Sequence, residues 1–366
     1  MNKTGFGFLR LPRLVETDET SIDFSVVDQM VDRFLELGGV YFDTAYTYLG
    51  GASEKGIGRA LTSRYPRSAF RLASKLPGWK LTSYDQCREV FREQLERCGV
   101  DYFDVYMLHW LNAANYAVCE KLDQFRFLEE LKAEGKAKAI GFSYHDGPQL
   151  LDEILTKHPE VDYVQLQINY LDWDSPALQA GRCYDVAVKH GKKVIIMEPV
   201  KGGTLAQLPE EAEKLLREAR PKDSMASWAV RFAASLEQVE IVLSGMSTVA
   251  QVEDNLRPLE PLTEAERQLL AQVADLLRAN TAISCTACNY CAPNCPKKIA
   301  IPQYFALYND YARKPAEGWK MGHAYKGLQP AFGKASDCIA CGACQRNCPQ
   351  KLPIIDHLKA VAKAFE

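Results

Sequence analysis

An alternation of two kinds of segment over residues 1–278 constrains the fold of this 366-residue chain more than any other feature. Short runs of β-branched and aromatic residues end near Leu11, Asp43, Lys75, His109, Ser143, Gln167, Glu198 and Ser244. Between them lie stretches whose apolar residues recur with the helical period. In Phe24–Leu37 those positions are Val27, Met30, Val31, Phe34 and Leu35. A second helix is expected over Cys119–Glu134, closed by Gly135 at the position past the last turn that favours glycine. Eight strand–helix repeats in about 250 residues match a closed barrel of eight parallel strands. An open, doubly wound sheet begins with a glycine-rich turn after its first strand. No such turn follows here, and Gly56-Ile57-Gly58 falls inside a helical stretch. The expected fold class is therefore α/β, a (β/α)8 TIM barrel over residues 1–278, followed by a smaller domain over 279–366.

Near Leu276 the alternation stops, and eight of the twelve cysteines crowd into residues 285–348. Cys285, Cys288, Cys291 and Cys295, followed by Pro296, read C-x2-C-x2-C-x3-C-P, and the spacing returns at Cys338, Cys341, Cys344, Cys348 and Pro349. Three thiolates two residues apart wrap one face of a cube, and a fourth arrives from a separate segment. Structural zinc sites use paired knuckles set farther apart. A secreted disulfide framework does not suit a long chain that begins MNKTGFGFLR with no apolar leader. The repeat resembles the bacterial ferredoxin pattern, in which the fourth cysteine of each run ligates the other cluster. That resemblance implies two [4Fe–4S] clusters, one on Cys285, Cys288, Cys291 and Cys348, the second on Cys338, Cys341, Cys344 and Cys295. The 42 residues between Cys295 and Cys338 exceed a compact ferredoxin linker. Together with helical stretches at Ile301–Arg313 and Ile354–Phe365, they point to a mostly α-helical dicluster domain. Cys87, Cys98, Cys119 and Cys183 show no ligand spacing and are expected as buried, apolar-like residues.

A third pattern lies at the ends of the second to fourth strands. Phe42-Asp43-Thr44-Ala45-Tyr46-Thr47-Tyr48 follows the second, with Gly50-Gly51-Ala52-Ser53-Glu54 opening the next helix; Ser74-Lys75 ends the third and Leu108-His109-Trp110 the fourth. The carboxyl ends of barrel strands are where such folds place their sites. Reduction of a carbonyl by hydride leaves an alkoxide, so a proton must arrive as charge develops on oxygen. A tyrosine of ordinary pKa is a reluctant donor; a neighbouring ammonium lowers that pKa and a carboxylate holds the ammonium. Tyr48 is read as the general acid, Lys75 as its modulator, Asp43 as the anchor of Lys75, and His109 as the group that orients and polarises the carbonyl oxygen. The order and spacing of these four residues resemble the catalytic tetrad of the aldo-keto reductase family, over residues 1–278.

The resemblance implies a nicotinamide site at the ends of strands five to eight, and there the pattern departs. Ser143 and Gln167 stand where the family contacts the carboxamide, but Tyr144 replaces the usual Asn. Gln165, Gln167 and Asn169 share one face of their strand by the period of two. Met197 takes the place of a ring-stacking tyrosine. Lys201-Gly202-Gly203 offers an ammonium and backbone N–H groups to a pyrophosphate. The two positions that carry cations for a 2′-phosphate align with Gly245 and Gln251, both uncharged, while Asn255 fits an adenine contact. NAD(H) or NADP(H) is expected, the lost cations favouring NADH.

The expected function is that of an oxidoreductase reducing a carbonyl or related unsaturated small molecule, linked to two clusters. Hydride moves two electrons and each cluster one, so a flavin is a further possible cofactor. The alternatives are a ferredoxin- or flavin-linked reductase fed through the clusters without nicotinamide, and a non-catalytic electron-transfer subunit. Residues 281–366 hold 11 Lys/Arg against 5 Asp/Glu, a balance of +6, which leaves −9 over residues 1–280. The basic segment either offsets thiolate-bound clusters or docks an acidic ferredoxin or flavodoxin-type carrier. A net charge of −3 argues against nucleic acid as a partner. No run approaches the roughly 20 apolar residues that cross a bilayer, and the expected compartment is cytoplasmic. Trp319, Tyr325 and Phe332 are expected as packing residues rather than as a substrate wall.

Overall fold

Eight parallel strands pair in sequence order and close on themselves, β8 returning to β1. In this computed structural model, which describes residues 3–15, 17–258, 260–313 and 315–366, they are β1 (Thr4–Gly7), β2 (Tyr41–Asp43), β3 (Arg71–Leu76), β4 (Phe103–Leu111), β5 (Ala137–Tyr144), β6 (Tyr163–Gln167), β7 (Lys193–Met197) and β8 (Val239–Ser244). Alternate residues point into the barrel, where Tyr41, Ala73, Val105, Met107, Tyr163, Ile195, Ile241 and Leu243 fill it as a packed core. Gly141 on β5 shows how tight this is, since a Cβ there would lie 2.1 Å from the Tyr163 carbonyl oxygen. On the outer face Phe6, Phe8, Phe42 and Phe34 pack ring against ring beneath the helix Phe24–Glu36, which presents Val27, Met30, Val31 and Phe34 inward. The (β/α)8 barrel expected from the alternation is the fold observed.

Two local expectations are corrected. The first strand ends at Gly7, not near Leu11, because the chain turns at Phe8–Arg10 ahead of Pro12. The stretch Cys119–Glu134 is not one helix. It divides into Ala113–Lys121 and Gln124–Ala133 at Asp123, whose φ of 53° is left-handed. Apolar spacing carries across the break, which hid it from the periodicity. The break lets Gln124 turn inward and donate to the Gly78 carbonyl at 3.1 Å. Cys87, Cys98, Cys119 and Cys183 all lie in helices and are buried.

The chain separates into two compact units. The first holds the barrel strands and comprises Met1–Asp174, Gln179–Val200 and Ala226–Thr263; the second comprises Ser175–Leu178, Lys201–Met225 and Glu264–Glu366. The second unit is helical. Its core joins Ile283, Ile299 and Ile301 to Tyr304 and Phe305 of Ile301–Arg313, Tyr325 of Gly318–Leu328, and Leu358 and Val361 of Ile354–Phe365. Tyr325 is a core residue whose hydroxyl accepts from the Ala335 N–H and bonds Glu366, whereas Trp319 is 65% exposed and meets His323 edge-on at 6.0 Å between ring centroids. Among the described residues no helix is long and apolar enough to cross a membrane.

Candidate active site and cluster cavities

Asp43, Lys75 and His109 sit at the carboxyl ends of β2, β3 and β4, and Tyr48 follows β2 on a short turn where Leu49 and Gly50 take left-handed φ values. The four meet. Lys75 Nζ donates to Asp43 Oδ1 at 2.5 Å, to the Thr44 carbonyl at 2.9 Å and to the Tyr48 hydroxyl at 3.3 Å. The imidazole of His109 stands edge-on to the Tyr48 ring with centroids 5.5 Å apart. Lys75 and Asp43 are 0% and 3% exposed in their side chains, so the pair is buried and each partner depends on the other for compensation. Behind it Glu54, wholly buried, accepts from Ser74 Oγ at 2.7 Å and from Gln94 Nε2 at 2.5 Å, while Gln94 also donates to the Lys75 carbonyl at 3.1 Å. This network fixes β3 where Lys75 emerges.

A bulge aims His109. The register between β4 and β5 shifts between Leu108 and Leu111, Trp110 has φ of 62°, and its N–H is caught by Ser143 Oγ at 2.7 Å. Trp79 flanks His109 at 5.3 Å between ring centroids. His109 Nδ1 is buried with no hydrogen-bond partner among the described residues.

The electrostatics differ from expectation in one respect. Burial, then the charges of Asp43 and Glu198, push the Tyr48 phenol well above its ordinary range. Burial likewise pulls Lys75 down against Asp43, raises Asp43 against Lys75, and drives His109 well below the usual imidazole range. The site is therefore set with a protonated phenol and a neutral imidazole.

The residues expected to hold a nucleotide are placed unevenly. Gln167 ends β6 with its Nε2 buried and lacking an acceptor among the described residues, as does Gln165 Oε1 for a donor. Such unmet amide groups fit a carboxamide ligand. Met197 ends β7 half-buried. Asn255 spends its Nδ2 on the Gln251 carbonyl at 2.8 Å and keeps Oδ1 unmet among the described residues. Gln251 accepts from the Ser247 N–H at 2.7 Å. Gly245 is covered by a residue that the sequence did not bring forward: a Cβ there would lie 3.1–3.3 Å from Arg10, which pairs with Glu198 at 3.6 Å. Glu198 itself has φ of 57°, its carbonyl held by Asn169 Nδ2 at 3.2 Å. Lys201 belongs to the second unit, is 1% exposed, and donates to Gln350 Oε1 at 3.0 Å.

In the second unit the eight cysteines line two cavities of about 320 Å³ each. Cys285, Cys288, Cys291 and Cys348 bound one; Cys295, Cys338, Cys341 and Cys344 bound the other. This grouping is consistent with the exchange of fourth cysteines that the ferredoxin resemblance implies. Burial raises Cys291, and Cys288, Cys285 and Cys348 raise it further; Cys344 is raised by burial and by Cys338 and Cys295. Four thiols gathered round each cavity are a donor set suited to a cationic iron–sulfur centre, and the residues fit the cluster.

Residues 5–275 match the model of the aldo/keto reductase family, and residues 284–352 that of the 4Fe-4S dicluster domain. The chain is 26% identical over 294 residues to an NADH-specific methylglyoxal reductase of Escherichia coli, covering 68% of this chain and 88% of that protein. It is 27% identical over 270 residues to the L-galactose dehydrogenase of Arabidopsis thaliana, covering 68% and 82%. An aldo-keto reductase of Bacillus halodurans superposes with a TM-score of 0.59 at 29% identity, over 74% of this chain and 91% of that one. With its barrel, its strand-end residues and its paired cysteine cavities accounted for, the chain belongs to the aldo/keto reductase family of oxidoreductases and carries a 4Fe-4S dicluster domain.

Proposed function

We propose that the barrel, residues 1–278, reduces a carbonyl or related unsaturated small molecule with Tyr48 as general acid, in a protein whose second part, residues 279–366, carries two [4Fe–4S] clusters. The observation that carries this reading is Lys75 Nζ bridging Asp43 Oδ1 and the Tyr48 hydroxyl beside His109. Neutral His109 orients the substrate oxygen, and Tyr48 delivers its proton as charge develops there. Lys75 then faces a forming phenolate at 3.3 Å in a dry site, where the attraction is strong. Asp43 keeps Lys75 charged and aimed. Trp79 and Trp110 help exclude water.

A bound nicotinamide supplies hydride to the carbonyl carbon. Ser143 and Gln167 are assigned to its carboxamide, Met197 to the ring face and Asn255 to the adenine. The neutral positions Gly245 and Gln251, with Arg10 engaged by Glu198, favour NADH over NADPH. The NADH-specific methylglyoxal reductase of E. coli supports the same choice and suggests a small α-oxoaldehyde as the first substrate to try. Cys285, Cys288, Cys291 and Cys348 are assigned to one [4Fe–4S] cluster, and Cys295, Cys338, Cys341 and Cys344 to the other.

A second reading is favoured by the exposure of Cys341 and of Ile339 beside it, within a segment of balance +6. In it a ferredoxin or flavodoxin-type carrier passes single electrons to the clusters, and Tyr48 protonates a substrate reduced stepwise. Anaerobic reduction of methylglyoxal by the cluster-loaded protein, compared with Tyr48→Phe, tests both. Loss of turnover in the variant is expected. Unaltered turnover removes Tyr48 from the chemistry.

A further inference from the structure

Lys201 is a buried cation placed beside one cluster cavity and not the other. The turn Lys201–Ala206 holds Lys201 at φ of 48°, with Gly202 at 64° and Gly203 at 100°. There the ammonium donates to Gln350 Oε1 at 3.0 Å. Lys201 and Gln350 are 1% and 5% exposed. Gln350 lies two residues beyond Cys348 and lines the cavity bounded by Cys285, Cys288, Cys291 and Cys348. With Oε1 taken by the lysine, its Nε2 is buried and meets no acceptor among the described residues. It is a donor left over on the wall of a cavity whose occupant is rich in sulfur acceptors.

The other cavity is differently walled. The cations there are exposed, Lys297 on its wall and Arg346, which donates to the Cys341 carbonyl at 3.2 Å, and Cys341 is exposed as well. A charge in water acts through a dielectric about fourfold larger than one inside protein. One-electron reduction adds a negative charge to a cluster, and its potential rises with nearby positive charge and with hydrogen bonds to its sulfurs. We propose that Lys201 and Gln350 are positioning residues that make the cluster of Cys285, Cys288, Cys291 and Cys348 the more readily reduced of the two. Electrons entering at the exposed cluster of Cys341 then come to rest on the walled one.

The inference rests on the assignment of the clusters and not on the activity of the barrel. The test is an EPR-monitored redox titration of the full-length protein, anaerobically loaded with iron and sulfide. Two potentials are expected. Lys201→Met is expected to lower the higher one and leave the other in place, and Lys201→Arg to restore it. Gln350→Leu, which keeps the cation and the volume, is expected to lower the same potential by less, and stands in for Lys201→Met should that variant fail to load. Lys297→Met is expected to shift neither appreciably. Potentials unmoved in both Lys201→Met and Gln350→Leu, or lowered alike for both clusters, overturn the proposal. Wild-type protein that takes up no [4Fe–4S] cluster refutes the cluster assignment instead.

Discussion

Replacement of Lys75 by methionine isolates the electrostatic part of the proposed proton transfer. The side chain keeps its length and apolar stem but loses the ammonium 3.3 Å from the Tyr48 hydroxyl. A full charge on the phenol oxygen at that distance interacts with the ammonium by roughly 5 kcal/mol at an effective dielectric of about 20. With the proton about half transferred, the lost stabilisation is about 2.5 kcal/mol, a rate factor of about 70. Loss of the charge-assisted hydrogen bond pushes this toward about 10³. Asp43 is left buried without its cation, and because burial already raises its pKa it takes up a proton instead of unfolding the site. The assay is kcat for methylglyoxal with saturating NADH, without oxygen, with circular dichroism and iron content as checks on folding. A folded, cluster-loaded Lys75→Met enzyme within about threefold of wild type refutes the argument, because the structure offers Tyr48 no other cation at this distance among the described contacts.

Other perturbations read different parts of the site. Tyr48→Phe removes the proton donor and is expected to lower kcat by about 10²–10⁴ while leaving NADH affinity, measured by calorimetry, within about twofold. The pH profile of kcat/KM is expected to lack an inflection near 6.5, since His109 stays neutral well below that value, and to fall on an alkaline limb below 10.5 as the lowered pKa of Lys75 is passed. An inflection at ordinary imidazole pH would remove His109 from its assigned role. Cys291→Ala and Cys348→Ala are expected to lose the same EPR signal and about half the iron, and Cys295→Ala the other; loss of one signal by Cys291→Ala and Cys295→Ala together would break the crossed assignment. Gln251→Arg is expected to move the preference toward NADPH by about tenfold, the worth of one charge-assisted hydrogen bond of about 1.5 kcal/mol, read as a ratio of dissociation constants.

The barrel was legible because strand and helix impose different apolar periods, and eight repeats leave few architectures open. The dicluster domain was legible because the repeated x2-x2-x3 spacing resembles that of bacterial ferredoxins. What escaped notice depends on contacts between distant segments. Asp123 breaks a helix whose apolar spacing continues unbroken, so periodicity was blind to it. Arg10 and Glu198 look like unremarkable charges until the barrel closes and puts them against each other beside Gly245. Lys201, followed by two glycines, has the local look of a phosphate loop, and only the fold shows its ammonium committed to Gln350. The elevated pKa of Tyr48 was missed for a related reason: a sequence shows which charges are near, but not how much water is gone.

The route of the electrons is the point on which the account stands, and isotope transfer reads it directly. Cluster-loaded enzyme would be given methylglyoxal and NADH carrying deuterium at the transferable C4 position, without oxygen, and the product examined by mass spectrometry and NMR. Direct reduction in the barrel predicts one deuterium on the former carbonyl carbon and its loss along with turnover in Tyr48→Phe. Product formed at full rate without deuterium on that carbon would contradict the account, and would mean that the electrons arrive by way of the clusters.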